Sequence, residues 1–164
     1  ALALIRVYNS SSEEAGAFGP GWSSALDARL ELGDEAAVWV RDDGAHVTFP
    51  RLGDGWGRAV GANLWLTAEG AGAGDPAGGR LVVGDNDGGR WVFTAAGAPV
   101  SGSRGAGTAV SYVRSGGRVV RVDHERGRSV CLTWDEEIGR VVEARASDGR
   151  AVVYSYDGAG WLGG

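Results

Sequence analysis

One of the two histidines lies between two acidic residues, a combination that could serve general acid–base catalysis. His124 follows Asp123 and precedes Glu125. Neighbouring residues on a strand point to opposite faces, so this spacing alone does not bring the three side chains together. We therefore expect His124 in a surface turn and His46 at the start of a strand. Because no serine stands in the setting of a nucleophile elbow either, we predict that the chain is not an enzyme.

A second candidate is the acidic segment Asp85-Asn86-Asp87-Gly88-Gly89, which has the look of a calcium-binding loop. Such a loop needs a glutamate at its twelfth place, which here is Ala96. The Gly-rich stretch at residues 69–80 likewise lacks the Lys-Ser/Thr pair of a phosphate-binding loop. Both segments are therefore predicted to be turns or loops, and we expect no metal and no cofactor.

Seven tryptophans are many for 164 residues and indicate either packed β structure or a binding surface. Trp91 and Trp134 lie in strand-like runs, which predicts that they pack. Trp56 is flanked by glycines in GDGWGR and is expected to be exposed. Trp56 and Trp65 are therefore the first candidates for a sugar-binding site, because a flat aromatic ring suits the C–H face of a sugar.

Charge and composition narrow the class of protein further. The net charge is −5, every basic residue is arginine, and the two signs alternate along the chain. A nucleic-acid-binding protein would show a basic stripe, so we predict no nucleic-acid partner. The opening ALALIRV is too short to span a membrane, and we predict no membrane span. Cys131, the one cysteine, lies in an apolar run and is expected to be buried.

The elements that must position these residues are short strands. Apolar residues recur with a period of two in about a dozen segments, such as AVWV, RLVV and RVVRV, separated by Gly- and Asp-rich turns. This pattern predicts an all-β fold of stacked antiparallel hairpins, a curved meandering sheet. Asp-Gly pairs favour two-residue type I′ turns, and Gly116-Gly117 belongs with them. The Asp-Gly pairs begin at Asp43, Asp54, Asp87, Asp148 and Asp157.

Part of the sequence repeats after twenty-two residues. Gly117-Arg118-Val119-Val120 recurs as Gly139-Arg140-Val141-Val142, and Trp134-Asp135 aligns with Tyr156-Asp157. We expect Tyr154 and Tyr156 to share one face of a strand, and the aspartate to cap the following turn. The repeat motif comprises Gly127, Trp134, Asp135, Gly139, Gly149, Tyr154, Tyr156, Asp157 and Gly160. We divide the chain into an N-terminal β segment (1–70), a Gly-rich loop leading into a strand (71–84), and repeats of about 22 residues (85–164).

At these residues the chain resembles the bacterial Rhs, or YD-repeat, family. That family's repeat places a glycine before an aromatic-x-Tyr-Asp and a glycine plus an apolar residue after it. Residues 5–32 are similar to the segment that opens the repeat region in polymorphic toxins of this family. That segment carries a G-x-F-G-x-G-W motif after a strand of the form R-x-Y-x-S. The matching N-terminal motif here comprises Tyr8, Phe18, Gly19, Gly21 and Trp22.

The resemblance implies a structural role without catalysis. Repeats of this family form a β-shell that encapsulates a C-terminal toxin, so the implied partners are the rest of such a polypeptide and its toxin domain. A secretion system or a second copy would be further partners, and the implied location is outside the cell, as part of a larger exported bacterial protein. The alternative is a secreted module that binds glycan or a protein partner through Trp-rich loops.

Overall fold

The computed structural model describes residues 4–70, 79–105 and 109–163. This part of the chain contains strands, turns and bends but no helix, and every strand pair is antiparallel, so the predicted all-β class is confirmed. The strands are β1 (Arg6–Tyr8), β2 (Ala15–Gly16), β3 (Gly19–Pro20), β4 (Trp22–Ser24), β5 (Arg29–Leu32), β6 (Ala36–Val40), β7 (His46–Leu52), β8 (Gly55–Trp56), β9 (Leu64–Glu69), β10 (Arg80–Asp85), β11 (Arg90–Thr94), β12 (Pro99–Ser103), β13 (Val110–Ser115), β14 (Arg118–His124), β15 (Ser129–Asp135), β16 (Arg140–Ala146) and β17 (Ala151–Val153).

The chain divides into two compact units. Unit 1 combines both ends of the chain, and unit 2 is drawn from the sequence between them. Unit 1 comprises Ala1–Asp27, Asp42–Gly44 and Tyr112–Gly164, and unit 2 comprises Ala28–Arg41 and Ala45–Ser111. Strand β13 crosses the boundary, with its first two residues in unit 2 and the rest in unit 1.

Unit 2 is organised around an apolar cluster. Strands β5 to β8 pair in chain order, and so do β9 to β12 followed by the start of β13. Alternating residues of these strands point inward, as a period of two requires. Tryptophan rings join the two groups of strands, since Trp39 lies 5.0 Å from Trp91 and 6.3 Å from Phe93 between ring centroids. The buried cluster contains Leu30, Ala37, Trp39, Val47, Phe49, Ala59, Leu64, Leu66, Leu81, Val83 and Phe93.

Unit 1 contains the repeats and the beginning of the chain. Strands β13 to β17 follow one another in chain order. β14 and β16 begin at Arg118 and Arg140, twenty-two residues apart, as the repeated sequence predicts. Near the N-terminus, β1 pairs with β4 and β2 with β3. The buried hydrophobic residues of unit 1 are Ala17, Phe18, Val119, Val122, Leu132, Val141 and Ala144.

The predicted type I′ Asp-Gly turns are wrong, because no residue other than glycine has a positive φ in the described chain. Most of these hairpins use a three-residue loop with a left-handed glycine as its third residue. After β16, for example, the loop contains Asp148-Gly149: Ala146 N–H donates to the Arg150 carbonyl and Gly149 N–H donates to the Ala146 carbonyl. The aspartate thus keeps an ordinary negative φ and leaves the strained position to glycine. Gly116-Gly117, with φ of 59° and 80°, is the pair that fits a type I′ turn.

Two expectations of burial are also wrong. Cys131 is exposed on β15, where it pairs with Arg121 on one side and Arg145 on the other, on the polar face of the sheet. Strand alternation explains this, because the neighbouring Leu132 takes the inward direction. Trp56 is half-buried and packs against the cluster of unit 2 instead of being exposed. Of the Gly-rich loop predicted at 71–84, residues 71–78 lie outside the described residues.

Candidate functional site

The repeat motif recurs in space as a hydrogen bond from an aromatic side chain to the backbone of an earlier strand. Trp134 Nε1–H donates to the Val119 carbonyl at 2.8 Å, fifteen positions back in the sequence. The Tyr156 hydroxyl donates to the Val141 carbonyl at 2.5 Å, again across fifteen positions. The two donors are twenty-two residues apart, and so are the two acceptors. Indole and phenol therefore occupy equivalent places in successive repeats.

An arginine accompanies each of these aromatic residues. The Arg118 guanidinium carbon lies 5.3 Å from the centroid of the Trp134 ring, within range of a cation–π contact. Arg140, twenty-two residues later, acts electrostatically on Tyr156: burial raises the pKa of this phenol, and the positive charge of Arg140 opposes the rise. The aromatic donor and its carbonyl acceptor thus recur, each with an arginine at the same spacing, and the arginine contacts the ring in the first copy and acts electrostatically in the second.

The aspartates of the motif cap the turns, as predicted. Asp135 Oδ1 accepts hydrogen bonds from the N–H groups of Glu137 and Ile138, at 2.9 and 3.2 Å. Asp157 Oδ1 accepts from Ala159 and Trp161, both at 2.9 Å. A side-chain carboxylate that satisfies two backbone donors holds the turn closed. Gly139 and Gly160 complete these two turns, Gly127 and Gly149 complete the turns after β14 and β16, and all four glycines have a positive φ.

The Tyr-x-Tyr pair departs from the expected geometry. β17 ends at Val153, so neither Tyr154 nor Tyr156 lies within it. Tyr156 instead forms an isolated bridge with Leu162, because the last turn folds the chain back on itself. Both tyrosines are half-buried, and both contact the same N-terminal segment.

That N-terminal segment, residues 4–27, we call the strap. Its strands pair with one another, β1 with β4 and β2 with β3. Asp27 braces it, since one carboxylate oxygen accepts from Ala17 N–H at 2.8 Å and the other from Ser24 N–H at 3.1 Å. Phe18 and Ser24 are fully buried. The strap is therefore a small folded element with internal hydrogen bonds of its own.

The strap packs on the last described repeat, which brings the two motifs of the sequence together. The Phe18 ring meets Tyr154 edge-on, with centroids 4.9 Å apart. Val141 N–H donates to the Ala17 carbonyl at 2.9 Å. Gly19 approaches so closely that an added Cβ would lie 2.6 Å from the Gly160 carbonyl oxygen. Glycine is thus required at position 19 for space as well as for its φ of 90°.

Arg6 lies among three aromatic rings at the centre of this contact. Its guanidinium carbon is 5.2 Å from the ring centroid of Phe18, 5.0 Å from that of Trp22 and 4.8 Å from that of Tyr154. Its Nη1 is buried and has no hydrogen-bond partner within the described residues. Cation–π attraction thus holds a charge that has lost part of its hydration.

The remaining residues of the N-terminal motif complete the strap. The Tyr8 and Trp22 rings lie 5.1 Å apart, and Tyr8 is half-exposed. An added Cβ on Gly21 would lie 2.8 Å from the Tyr8 ring, so this glycine lets the ring approach the backbone closely. All five predicted residues of the N-terminal motif therefore belong to the strap.

Burial changes the acidity of two tyrosines in unit 1. It raises the pKa of Tyr156 to about 12, although the positive charges of Arg140 and Arg6 oppose this. Burial also raises the pKa of Tyr112, with a further contribution from the negative charge of Asp42. Both phenols are therefore neutral over the ordinary pH range.

The two tryptophans proposed for sugar binding lie in unit 2, each beneath an arginine. Trp56 has the Arg51 guanidinium 4.9 Å from its ring centroid, and its Nε1 is buried. Trp65 has the Arg58 guanidinium at 5.5 Å and bridges to that residue through the backbone. One face of each ring is thus covered by a cation of the same chain.

The ionisable candidates of the sequence serve turns. His124 Nδ1 accepts a hydrogen bond from Arg126 N–H at 3.2 Å. Asp85 Oδ1 accepts from the N–H groups of Asp87 and Gly89, in the manner of Asp157. Over residues 4–70, 79–105 and 109–163, no three His, Cys, Asp or Glu side chains are grouped as metal ligands would be. The same residues include no helix of a length and hydropathy that could cross a membrane.

Sequence reasoning missed the partners that join the two motifs. Arg6, Ala17 and Val141 contribute a cation, a carbonyl and an N–H group, and only Arg6 carries a side-chain signal, two positions before Tyr8. The backbone groups of Ala17 and Val141 leave no trace in the sequence, because any residue could supply them.

A comparison with protein families matches the N-terminal part of the chain. The matching family model is described as a domain of unknown function, DUF6531, and it covers residues 1–49. This range contains the strap and all five residues of the N-terminal motif. No curated protein matches the chain.

Proposed function

We propose that the chain is a structural, non-catalytic segment of an Rhs-type YD-repeat shell that encloses a C-terminal toxin in the full-length protein. The observation that carries this proposal is the repeated contact in which Trp134 and Tyr156 donate to Val119 and Val141. A sheet built from stacked hairpin repeats requires the same contact between each repeat and the next, and this contact recurs after twenty-two residues. The motif aspartates and His124 hold turns, which also favours a structural role.

The proposal is tested on the polypeptide that the complete gene encodes. We expect its sequence to continue with units of about 22 residues that carry an aromatic donor and a turn glycine. We also expect its C-terminal domain to resist added protease while attached and to be cut when produced alone. Flanking sequence without such units, or equal cleavage of the attached and the isolated domain, would refute the proposal.

The second hypothesis, a secreted module that binds glycan through Trp56 and Trp65, has its own test. Titration with a panel of oligosaccharides would quench tryptophan emission if either ring stacks on a sugar. The substitution Trp65→Phe would reduce such quenching, whereas Tyr8→Phe serves as a control in the strap. The Arg51 and Arg58 contacts to these rings do not favour this function over the structural one.

A further inference from the structure

The strap is ordered by its own hydrogen bonds, but its contact with the repeats buries a charged group at a cost in free energy. Its strands pair among themselves, and Asp27 ties Ala17 to Ser24, so the strap retains its hydrogen bonds without help from the repeats. Elements of this kind open locally when their external contacts cost less to break than the whole fold.

The cost lies at Arg6. Its buried Nη1 has no hydrogen-bond partner within the described residues, so the aromatic rings replace only part of the hydration that this charged group loses. Moving the strap away would return this guanidinium to water. The aromatic rings and the Val141–Ala17 hydrogen bond therefore stabilise the closed arrangement, and the lost hydration of the Arg6 guanidinium opposes it.

Closure is also a long-range event. The Tyr156 hydroxyl and the Ala17 carbonyl, 3.4 Å apart, are separated by 139 positions in the sequence. Bringing such distant segments together costs loop entropy that local hairpins do not incur. The repeats β14 to β16 can therefore form by neighbour pairing before the strap closes on them.

We propose that the strap is a closing device that opens as a unit while the repeat sheet of unit 1 stays folded. In the closed state it fastens the beginning of the chain onto residues 139–160. Opening uncovers Tyr154, Tyr156 and the N–H group of Val141 while β15 and β16 remain paired. This inference goes beyond the proposed function, since it would hold whatever a shell encloses.

Backbone amide hydrogen exchange on the full chain tests the device. Val141 N–H reports on the strap, because its acceptor is the Ala17 carbonyl; Ser147 N–H reports on the sheet, because its acceptor is the Ser129 carbonyl. In the wild type we expect Val141 to exchange through an opening of lower free energy and smaller denaturant dependence than that of Ser147. Equal free energies with equal denaturant dependence for both amides would overturn the proposal.

A matched pair of variants sharpens the test. Gly19→Ala places a Cβ against the Gly160 carbonyl oxygen, whereas Gly117→Ala has a similar φ of 80° and faces open space. We expect Gly19→Ala to speed Val141 exchange relative to Ser147 by about tenfold or more. Gly117→Ala should leave the ratio of the two rates at its wild-type value. If Gly19→Ala raises the exchange rates of both amides equally, or leaves the exchange rate of Val141 unchanged, the strap does not open as a unit.

Discussion

In unit 2 a long-range hydrogen bond joins Leu30 N–H to the Gly97 carbonyl, whereas in unit 1 the corresponding bond joins Val141 N–H to the Ala17 carbonyl. The first lies beside a large apolar cluster that includes Phe49 and Trp39. The second lies beside aromatic rings that surround a charged guanidinium. Unit 2 is thus held chiefly by burial of apolar area, and the strap side of unit 1 by directional contacts that depend on particular atoms.

The largest expected effect concerns the apolar cluster. Phe49→Ala should destabilise the chain by about 3–5 kcal/mol, because Phe49 is fully buried and its removal leaves a cavity. Urea unfolding followed by circular dichroism measures this. Leu52→Ala, whose side chain is 70% exposed, is the control and should change little. A small effect of Phe49→Ala would break the distinction between the two units.

Two matched substitutions separate the stability that comes from buried side-chain volume from the stability that comes from contacts of the aromatic ring. Phe18 and Phe49 are both fully buried, but only Phe18 meets a tyrosine edge-on and an arginine. Leucine keeps most of the apolar surface at each site. We expect Phe18→Leu to cost about 1 kcal/mol more than Phe49→Leu, the value of the lost ring contacts. Equal costs in urea unfolding would show that ring geometry contributes nothing to unit 1.

A smaller effect is expected from removal of one hydroxyl. Tyr156→Phe deletes the donor to the Val141 carbonyl and keeps the ring, so it should cost about 0.5–1.5 kcal/mol. Tyr8→Phe removes a hydroxyl from a ring that is 51% exposed and should change stability less. A Tyr156→Phe protein as stable as the wild type would show that the repeated hydrogen bond is dispensable.

The same phenol predicts a pH dependence. The pKa of Tyr156 is raised in the folded state to about 12, above the value near 10 of an unfolded tyrosine. Its contribution is therefore complete below about pH 10 and is lost as the pH rises through 12, because the unfolded chain releases this proton first. Unfolding free energies measured across this range should fall less steeply in Tyr156→Phe. Tyr112, whose pKa is also raised by burial, contributes to the pH dependence that remains in this variant.

The smallest effect is expected at an exposed ion pair of unit 1. Arg150 donates to Asp148 and lowers the pKa of that carboxyl, but both side chains face water. Arg150→Ala should leave the unfolding midpoint in urea within experimental error, since solvent screens such pairs. A clear loss of stability would mean that charge pairs, as well as aromatic contacts, hold unit 1 together.

Local features of this fold follow closely from the sequence. Alternating apolar residues place the strands, as at RVVRV and AVWV, and the caps by Asp135 and Asp157 were predictable because they act within four residues. The conformation of the Asp-Gly turns was not, because a three-residue loop with a left-handed glycine suits the same letters as a two-residue turn. The pairing of the strands on either side decides whether the three-residue loop or the two-residue turn is formed.

The two motifs were each visible in the sequence, but their meeting was not. Phe18 and Tyr154 are brought together only by the path of the chain between them, and that path depends on every hairpin in between.

What the sequence alone determined is therefore the all-β class, the 22-residue repeat and the residues of both motifs, since each depends on side-chain types at short spacing. The tertiary structure alone decided that the strap closes on the last described repeat with Arg6 at the centre. Contacts between distant segments depend on backbone groups and on the close approach of two surfaces. The glycine at position 19 permits such an approach, but the residue types do not show that Gly160 is the partner.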